Sequence, residues 1–587
     1  MKRLVFAAVL CAAQFVHAAN AIWNRTDGGA LDVDANWKDS TPPNGTDQAR
    51  LFFEQSVPVT MPTLSSMNFG PTYFISFAGM IDLGSKSKTI SATEIHVGRF
   101  SPEDNAAPEL IAGTVTSSGK LVFEGSGSSL TLNGVNAELR ASDAQIGIGR
   151  RNCALNVLGG AKYSGANIYV GYSRNAISNS LVVSGSGSRC TASAAIHIGS
   201  GASNCVIRVL DGGTLTAGSS ISLGRECETG AEPQPGNLLV VSNATASTSG
   251  TGSLLVGHDS SSNRVEILDR GNVSVAGVMS IGNDKFSSYA SSWRSYGNSV
   301  AVVGAGSRIA VSGEVRVGRQ YAVDSSFTLA DGATAEFNGG DVWVGREGTA
   351  PGSSFTVDNA VFDYAPVSEH SFRVGYAARN SVLAVVNRGR FYATNTTATL
   401  LMGGNELASA SNGMIRVASG GVLSARKLDI GNFAAGGIEV ENGEVEFSGK
   451  LNLQQYACLS LKGTNSFVHA GRIDVICPAG KSTFRVHIPP EGLAVNRPLI
   501  HTDYFAANSI ASTQLIYVDV ATPSDSVLEK RTYVIFKRDD GNWSANSIKN
   551  RTVLTGYDRV ELSCDDASGE IRLTVKPKKK GLYLIYK

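Results

Sequence analysis

The sequence predicts an all-β protein whose main body is a right-handed parallel β-helix. Three observations support this fold class: a composition typical of short strands and tight turns, a recurring strand motif, and a spacing that varies at one loop only. Glycine accounts for 65 of the 587 residues and charged residues for only 17%, against roughly 25% in ordinary globular domains. The hydrophobic fraction of 42% is too high for a disordered chain.

The strand motif has the form apolar-x-apolar-Gly, and it recurs with a mean interval of about 28 residues, a period typical of solenoids. It is found at 95–98, 146–149, 168–171, 196–199, 221–224, 254–257, 279–282, 315–318, 342–345, 372–375, 400–403 and 428–431. Because side chains alternate along a strand, the apolar residues point inward and the middle residue points outward. The middle position holds residues as different as His96, Tyr169, Trp343 and Asp429, which predicts a mixed, solvated face.

A second signature is an asparagine that precedes an alternating apolar run. It comprises Asn152, Asn179, Asn204, Asn237, Asn263, Asn298, Asn380 and Asn412, with Ser325 and Ser353 taking its place in two coils. Most of these asparagines lie 19 or 20 residues before the next motif glycine, whereas the gap from glycine to asparagine varies from 3 to 16. A rigid unit therefore alternates with one loop of free length. We predict that the asparagines form a ladder, stacked at roughly 4.8 Å.

The chain divides into five predicted segments. Residues 1–21 have the pattern of a secretory signal peptide, because Lys2 and Arg3 precede an apolar stretch and small-residue cleavage patterns follow at 16–18 and 19–21. Residues 22–90 are predicted to form a β-rich N-terminal entry module, 91–477 the β-helix repeats, and 478–576 a C-terminal β cap. Residues 577–587 form a basic and then apolar tail, which is either a sorting or anchoring signal or a final edge strand. After the signal, no apolar run reaches the roughly 18 residues of a membrane span.

The repeats and the segment after the signal resemble bacterial autotransporter-associated β-strand repeat proteins. That segment contains Trp23, Asp27-Gly28-Gly29, Asn36-Trp37 and Pro43-Asn44-Gly45 before the apolar run 51–53. The resemblance implies a passenger-like β-helix at the cell surface or in the extracellular medium, and it carries over no catalytic residues. The family's C-terminal translocator barrel is not expected, because the strands after Cys477 read as soluble strands that cap the solenoid.

The function predicted from these features is structural or adhesive, with glycan binding as one form of it, after export to the extracellular space or outer cell surface. The periplasm is the alternative location. The competing hypothesis is a β-helix polysaccharide lyase or glycoside hydrolase, which rests on fold analogy alone. The acidic residues Asp211, Asp269, Asp331 and Asp358 occupy turn positions, where turn chemistry explains them. We therefore predict that the protein is not an enzyme and has no catalytic residues.

No cofactor, metal or nucleic-acid partner is predicted. The net charge is +1, so no strong field attracts nucleic acid. Seven cysteines follow the signal, an odd number without a CxxC pair, and we interpret most of them as small apolar fillers, leaving a disulfide between coils open. An arginine follows the motif glycine at positions 99, 150, 225, 319 and 346. We favour hydrogen bonding to loop carbonyls over a basic ladder for an anionic polysaccharide.

The predicted ligand-binding site is the aromatic loop 283–297, the longest insertion of the solenoid. Its candidate residues are Phe286, Tyr289, Trp293, Arg294 and Tyr296, with Tyr321 extending the surface from the next loop. Aromatic rings can stack on sugars while cations hold polar or anionic groups. The alternative is that the loop packs its aromatic residues against the solenoid wall.

Overall fold

The chain forms a right-handed parallel β-helix, as the sequence predicts. The structure, a computed structural model, describes residues 20–22, 29–38, 48–51, 59–61, 64, 66–69, 71–74, 80–98, 106–225, 235–258, 260–283, 295–319, 322–346, 351–376, 378–403, 413–430, 436–454, 457–476, 483–493, 497–508, 516–522, 530–541 and 543–577. Each coil contributes one strand to each of three parallel walls, which we call walls I, II and III in chain order. The variable loop joins wall III of one coil to wall I of the next.

The three walls are built from short strands paired in parallel. Wall I comprises Gly29–Ala30, Val59–Thr60, Met80–Asp82, the first part of Glu109–Ser117, Ser129–Asn133, Ala154–Leu158, Ser180–Ser184, Val206–Leu210, Leu238–Ser242, Arg264–Leu268, Ser299–Val303, Ser326–Ala330, Ser354–Asp358, Val382–Val386, Gly413–Ala418, Gly436–Glu441, Cys458–Lys462, Thr483–Ile488, Ile516–Val520 and Thr552–Gly556. Wall II comprises Ser66–Asn68, Thr89–Ala92, the second part of Glu109–Ser117, Ala137–Arg140, Lys162–Gly165, Arg189–Ala192, Thr214–Ala217, Thr245–Thr248, Asn272–Val275, Arg308–Val311, Thr334–Phe337, Val361–Tyr364 and Arg390–Ala393. Wall III comprises Asn20–Ile22, Gln48–Leu51, Thr72–Phe74, Ile95–Val97, Leu121–Phe123, Asp143–Ile148, Asn167–Tyr172, Ala195–Ser200, Ser220–Leu223, Ser253–Val256, Met279–Asn283, Val315–Arg319, Val342–Val344, His370–Val374 and Ala398–Met402.

Walls II and III merge in the C-terminal coils, where single long strands serve both. These strands are Val422–Ile430, Glu444–Leu453, Phe467–Ile476, Ile500–Asn508 and Arg531–Gly541. The register shifts within the pairings of the first three of them, at the point where one wall passes into the other. A β-bulge at this point bends a continuous strand around the corner, so that no separate turn is needed.

Parallel coils extend beyond both predicted boundaries of the repeat region. At the N-terminal end, Asn20–Ile22, whose first two residues fall in the predicted signal segment 1–21, already pairs in parallel with Gln48–Leu51, so the described strands of the predicted entry module are coils of the solenoid. At the C-terminal end, parallel pairing continues to Thr552–Gly556. Among the strands that the structure describes, antiparallel pairing begins where Glu570–Val575 joins Arg531–Gly541 and Val560–Asp565. The helix Ala545–Lys549 packs beside this antiparallel end.

The interior is a continuous column of apolar side chains supplied by alternate residues of each strand. Where aromatic residues follow one another in register they stack, as in Phe327 over Phe355, whose ring centroids lie 4.6 Å apart. Phe362 and Phe372 contact the same stack from walls II and III. Full burial of one such ring stabilises the fold by about 2–3 kcal/mol, and the stack joins rings within one coil as well as rings of adjacent coils.

The predicted asparagine ladder consists of two columns instead of one. Asn179, Asn237, Asn263 and Asn298 share a fully buried position directly before a wall I strand. Asn237 Nδ2 donates a hydrogen bond to Asn263 Oδ1 at 3.0 Å, and Asn263 Nδ2 donates to Asn298 Oδ1 at the same distance. The same position is occupied in other coils by Cys153, Cys205, Ser325, Ser353 and Ser381.

The other asparagines require a correction to the single ladder. Asn152, Asn204 and Asn380 lie one residue earlier, exposed to solvent, with φ values of 57°, 55° and 55°. Asparagine tolerates this left-handed conformation better than most residues, and glycine takes the same position at Gly236. These three residues therefore form a separate turn column, whereas Asn412 lies outside the described residues.

One motif glycine was also assigned two residues too late. Ile146 pairs with Val170 and Ile168 pairs with Ile196, so the residue equivalent to Gly171 is Gly147 and not Gly149. The sequence 146–149 matches the motif because Gly-Ile-Gly repeats it locally. The actual motif of this coil is 144–147, with an alanine as its first apolar residue.

Candidate functional site

An open groove lies on the outer face of wall I in the C-terminal coils. Its volume is about 520 Å³, which is within the usual range for small-ligand sites. It crosses six strands, from Gly413–Ala418 to Thr552–Gly556. At roughly 4.8 Å per strand it therefore extends about 24 Å along the helix axis. We call it the wall I groove.

Strand alternation places the groove residues in three outward rows. Ile438 and Val486 point into the core, so that their neighbours on each strand face the groove. The first row consists of small or flexible residues, namely Met414, Gly437 and Cys458. The middle row is Glu439, Ser460, Arg485 and Tyr517, and the third row is Lys462, His487, Asp519 and Thr555. Gly437, Cys458 and Ser460 line the groove with little side-chain volume.

One ion pair and one hydrogen bond hold four of the polar side chains of the groove in place. Lys462 Nζ lies 3.0 Å from Glu439 Oε2, and His487 Nδ1 lies 3.0 Å from Asp519 Oδ2. Arg485 is exposed, and no carboxylate in the described part of the chain pairs with it. It lies beside Tyr517 in the register of the two strands. The groove thus presents one guanidinium and one aromatic ring next to each other.

The groove carboxylates are too far apart to match a glycoside hydrolase pair. Glu439 is separated from Asp519 by three strand spacings, about 14 Å between strands. Retaining enzymes hold their two carboxyl groups about 5.5 Å apart and inverting enzymes at most about 9.5 Å apart. The arrangement can bind polar ligands through hydrogen bonds and stacking, and it offers no paired acid and base.

Of the predicted aromatic loop site, only Tyr296 is described. Its side chain is 49% exposed, its carbonyl oxygen accepts a hydrogen bond from Ser262 N, and it forms an isolated parallel bridge with Val323. Phe286, Tyr289, Trp293, Arg294 and Tyr321 lie outside the described residues. The wall I strand after this loop, Ser299–Val303, is several coils away from the wall I groove. The structure therefore does not bring Tyr296 into the groove.

The outward middle column of wall III is buried or half-buried along its described length, in contrast to the predicted solvated face. His96, His197, Ser222, Trp343 and Asp474 are each less than 9% exposed. His197 stacks on Tyr169 with ring centroids 4.9 Å apart, and its Nδ1 lies 2.7 Å from Ser222 Oγ. Burial is the largest cause that lowers the pKa of His197 to about 4. This column is therefore a second packed layer, which the strand alternation alone could not indicate.

Trp343 lies at the centre of a cationic cluster on wall III. The guanidinium carbons of Arg373 and Arg346 lie 4.3 Å and 4.7 Å from its ring centroid. Arg346 Nη1 also donates to Glu314 Oε1 at 2.9 Å. Arg346, one of the arginines that follow a motif glycine, thus contacts a ring face and a carboxylate. Because Trp343 is only 7% exposed, this cluster braces the wall and presents little free surface.

The described cysteines are free, and three of them are buried in the solenoid. Cys153, Cys190 and Cys205 are at most 1% exposed, whereas Cys458 and Cys564 are half-buried. Burial raises the pKa of Cys153 to about 12 and that of Cys205 to about 11. Such thiols remain protonated and act as small apolar fillers. Cys227 and Cys477 lie outside the described residues.

The sequence analysis missed the groove residues and a histidine pair on wall II, His469 and His501. Both sets lie in the C-terminal coils, where the apolar-x-apolar-Gly motif no longer recurs at regular intervals on wall III and the coil length changes. Without a repeat to set the register, no pattern indicated that Arg485 would lie beside Tyr517. The one available signal was the alternation of polar and apolar residues in 483–488 and 516–520.

Comparisons with known proteins give no family assignment. No protein-family model matches the chain, and a search of curated proteins finds no matching sequence. Among the described residues, no helix has the length and apolar character needed to cross a membrane.

Proposed function

We propose that the protein is an exported β-solenoid that binds polysaccharide in the wall I groove and does not cleave it. The observation that supports this proposal is the register pairing of Arg485 with Tyr517 in an open groove that small residues also line. A tyrosine ring can stack on a sugar face, and an arginine can donate several hydrogen bonds to hydroxyl or carboxylate oxygens. A groove of about 24 Å along the axis suits an extended chain better than a compact ligand.

The location in this proposal depends on features of the sequence. The positive residues and apolar stretch of the first 21 residues support export. Asn20–Ile22 is a strand of wall III, so cleavage after Ala18 would leave the described solenoid whole. The resemblance to autotransporter-associated repeats supports an extracellular or cell-surface role. The periplasm is the alternative location.

The experiment compares two groove variants with two matched controls. Tyr517→Ala and Arg485→Ala each remove one groove contact. Tyr392→Ala and Arg390→Ala remove a neighbouring tyrosine and arginine from the outer face of wall II, where Arg390 Nη1 lies 3.4 Å from Tyr392 Oη. Binding to polygalacturonate, an acidic polymer, and to dextran, a neutral one, is measured by affinity electrophoresis.

We expect at least about a tenfold loss of binding in the groove variants, because a lost stacking or charged contact costs about 1.4 kcal/mol or more. The controls should bind as the wild type does. Equal binding by all five proteins, or no binding of either polymer by the wild type, would contradict the proposal.

A second candidate function, polysaccharide cleavage, is favoured by one carboxylate pair on wall II. Glu336 and Asp363 are register partners on adjacent strands. Desolvation, and after it the charge of Glu336, raises the pKa of Asp363, and neighbouring carboxyl groups in different environments are typical of acid–base pairs. Arg308 Nη2 lies 2.5 Å from Glu336 Oε2 and forms an ion pair with it. Release of reducing ends by the wild type, lost in Asp363→Asn, would favour this function over binding alone.

A further inference from the structure

Two histidines and an aspartate lie together on the outer face of wall II near the C-terminal end. His469 and His501 are register partners on adjacent parallel strands, with ring centroids 5.0 Å apart. His469 Nε2 lies 3.2 Å from Asp503 Oδ1. One possible ligand atom from each of the three residues falls within 4.8 Å of the other two.

The strand pattern explains this convergence. Val468 and Ala470, which flank His469 in the sequence, are buried, and so are Ile500 and Thr502, which flank His501. Because side chains alternate along a strand, both imidazoles point outward. Asp503 lies opposite Gly471 in the register set by Ala470–Thr502 and Arg472–Tyr504. Because glycine has no side chain, the space beside the imidazole of His469 stays open to the carboxylate.

The surrounding charges favour a cation at this place. Asp539 Oδ2 lies 3.2 Å from His501 Nε2, and Glu446 is the register partner of His469. With Asp503, three carboxylates thus border the imidazole pair. One cation beside them is Lys537, the register partner of His501, whose ammonium lies 3.5 Å from Asp539 Oδ1. A second, Arg497, covers the Phe467 ring that stacks on His469, and it pairs with Glu444 at 3.1 Å. The negative charge therefore exceeds the positive charge around the two rings.

We infer that His469, His501 and Asp503 bind one divalent transition-metal ion of the zinc type. Imidazole nitrogen and carboxylate oxygen are zinc ligands, whereas Ca²⁺ and Mg²⁺ prefer oxygen alone. Ligand atoms around a tetrahedral zinc ion are about 3.3 Å apart, so the three side chains must close by up to about 1.5 Å. The imidazoles are each 24% exposed and Asp503 is 56% exposed, which leaves room for such rotamer changes.

The site would be of the open kind, with three protein ligands and a fourth position for water or an oxygen ligand. Asp539 acts outside the ligand set: its hydrogen bond to His501 orients the ring, as carboxylates commonly do for ligating histidines. The site lies on wall II and shares no residue with the wall I groove. The inference is therefore independent of the proposed function.

The test is calorimetric titration of the full chain with Zn²⁺, supported by the visible spectrum of bound Co²⁺. We expect one equivalent of metal to bind. His469→Ala and His501→Ala should abolish this binding, and Asp503→Asn should weaken it at least about tenfold. Asp539→Asn, which leaves the three ligands in place, should weaken it about 10- to 100-fold.

The matched control is His487→Ala. His487 also pairs with an aspartate, Asp519 at 3.0 Å, but on wall I and without a second histidine beside it. Its loss should leave stoichiometry and affinity unchanged. Circular dichroism of every variant establishes that the fold persists, and Asp503→Asn preserves the shape of the side chain in any case. The inference is overturned if the wild type binds no equivalent of Zn²⁺ or Co²⁺, or if His469→Ala or His501→Ala binds as the wild type does.

Discussion

The side-chain amide of Asn237 occupies the space that a Cβ atom on Gly199 would need, with Oδ1 only 2.1 Å from that position. The same relationship recurs between Gly147 and Asn179, and between Gly257 and Asn298. Serines fill the corresponding space beside Gly318 and Gly345. The motif glycine and the buried polar residue are thus two halves of one contact between coils, which explains why both signatures recur together.

Gly199→Ala should destabilise the solenoid locally by about 2–4 kcal/mol. The φ of Gly199 is 69°, which strains an alanine, and the added methyl group collides with the Asn237 amide. Gly250→Ala is the matched control, since its φ is 61° and nothing lies within 4 Å of the added Cβ. Gly250→Ala should lower the free energy of unfolding by only about 1 kcal/mol. Urea unfolding of both variants measures the difference, and equal losses would show that backbone strain alone accounts for the glycine.

The two columns of asparagines should respond differently to mutation. Asn237 Oδ1 accepts from Cys205 N at 3.0 Å and its Nδ2 donates to Ala202 O at 3.2 Å. Asn237→Ala leaves both buried backbone groups without this hydrogen-bond partner, and it should lower the free energy of unfolding by about 2–4 kcal/mol. Asn204→Gly should change the free energy of unfolding by less than about 1 kcal/mol, because glycine readily adopts the φ of 55° found there. A comparable loss in both variants would mean that the exposed column also carries structural hydrogen bonds.

Asp331→Asn should leave both stability and any glycan-directed function within experimental error. Asp331 has a φ of 55° at the turn between walls I and II, and Asn243, Asn359 and Asn387 adopt φ values of 47–51° at the same kind of turn. The change in unfolding free energy should stay below about 0.5 kcal/mol. The measurement is the melting temperature together with polysaccharide binding and reducing-end release. If the wild type cleaves polysaccharide and this variant does not, the aspartates at these turns become candidates for catalytic residues.

The coil architecture was predictable because each coil repeats the same physical constraints. Inward positions must be apolar, corners need residues that tolerate positive φ, and the glycine of wall III must make room for a buried polar side chain. The alternation therefore placed Ile196 and Ile198 in the core correctly. It could not separate Asn179 from Asn152, because a shift of one residue exchanges a buried position for an exposed one while the residue type stays the same.

The candidate sites were not predictable from the repeat. Arg485 lies beside Tyr517, and His469 beside His501, only because two coils of about 32 residues pair in a register that no motif marks. The sequence analysis favoured the aromatic loop because its rings are close in sequence. Proximity in a solenoid is set by the stacking of coils, so that residues about one coil apart are neighbours, and this distance varies with the length of each loop.

His197 should make the stability of the solenoid depend on pH in the acidic range. Its pKa is lowered from 6.5 to about 4, first by burial and then by the charge of Arg225. Below pH 6.5 the unfolded chain therefore takes up a proton that the folded chain does not, and the folded state loses stability as the pH falls through this range. The loss should be about 2 kcal/mol between pH 8 and pH 5.

His197→Gln, which cannot titrate, should lack this component, so the difference in unfolding free energy between the variant and the wild type should change by that amount over this range. His487→Gln, whose imidazole is 41% exposed beside Asp519, is the control and should keep the full pH-dependent loss. A difference between wild type and His197→Gln that stays constant from pH 8 to pH 5 would show that His197 is not held neutral by its burial.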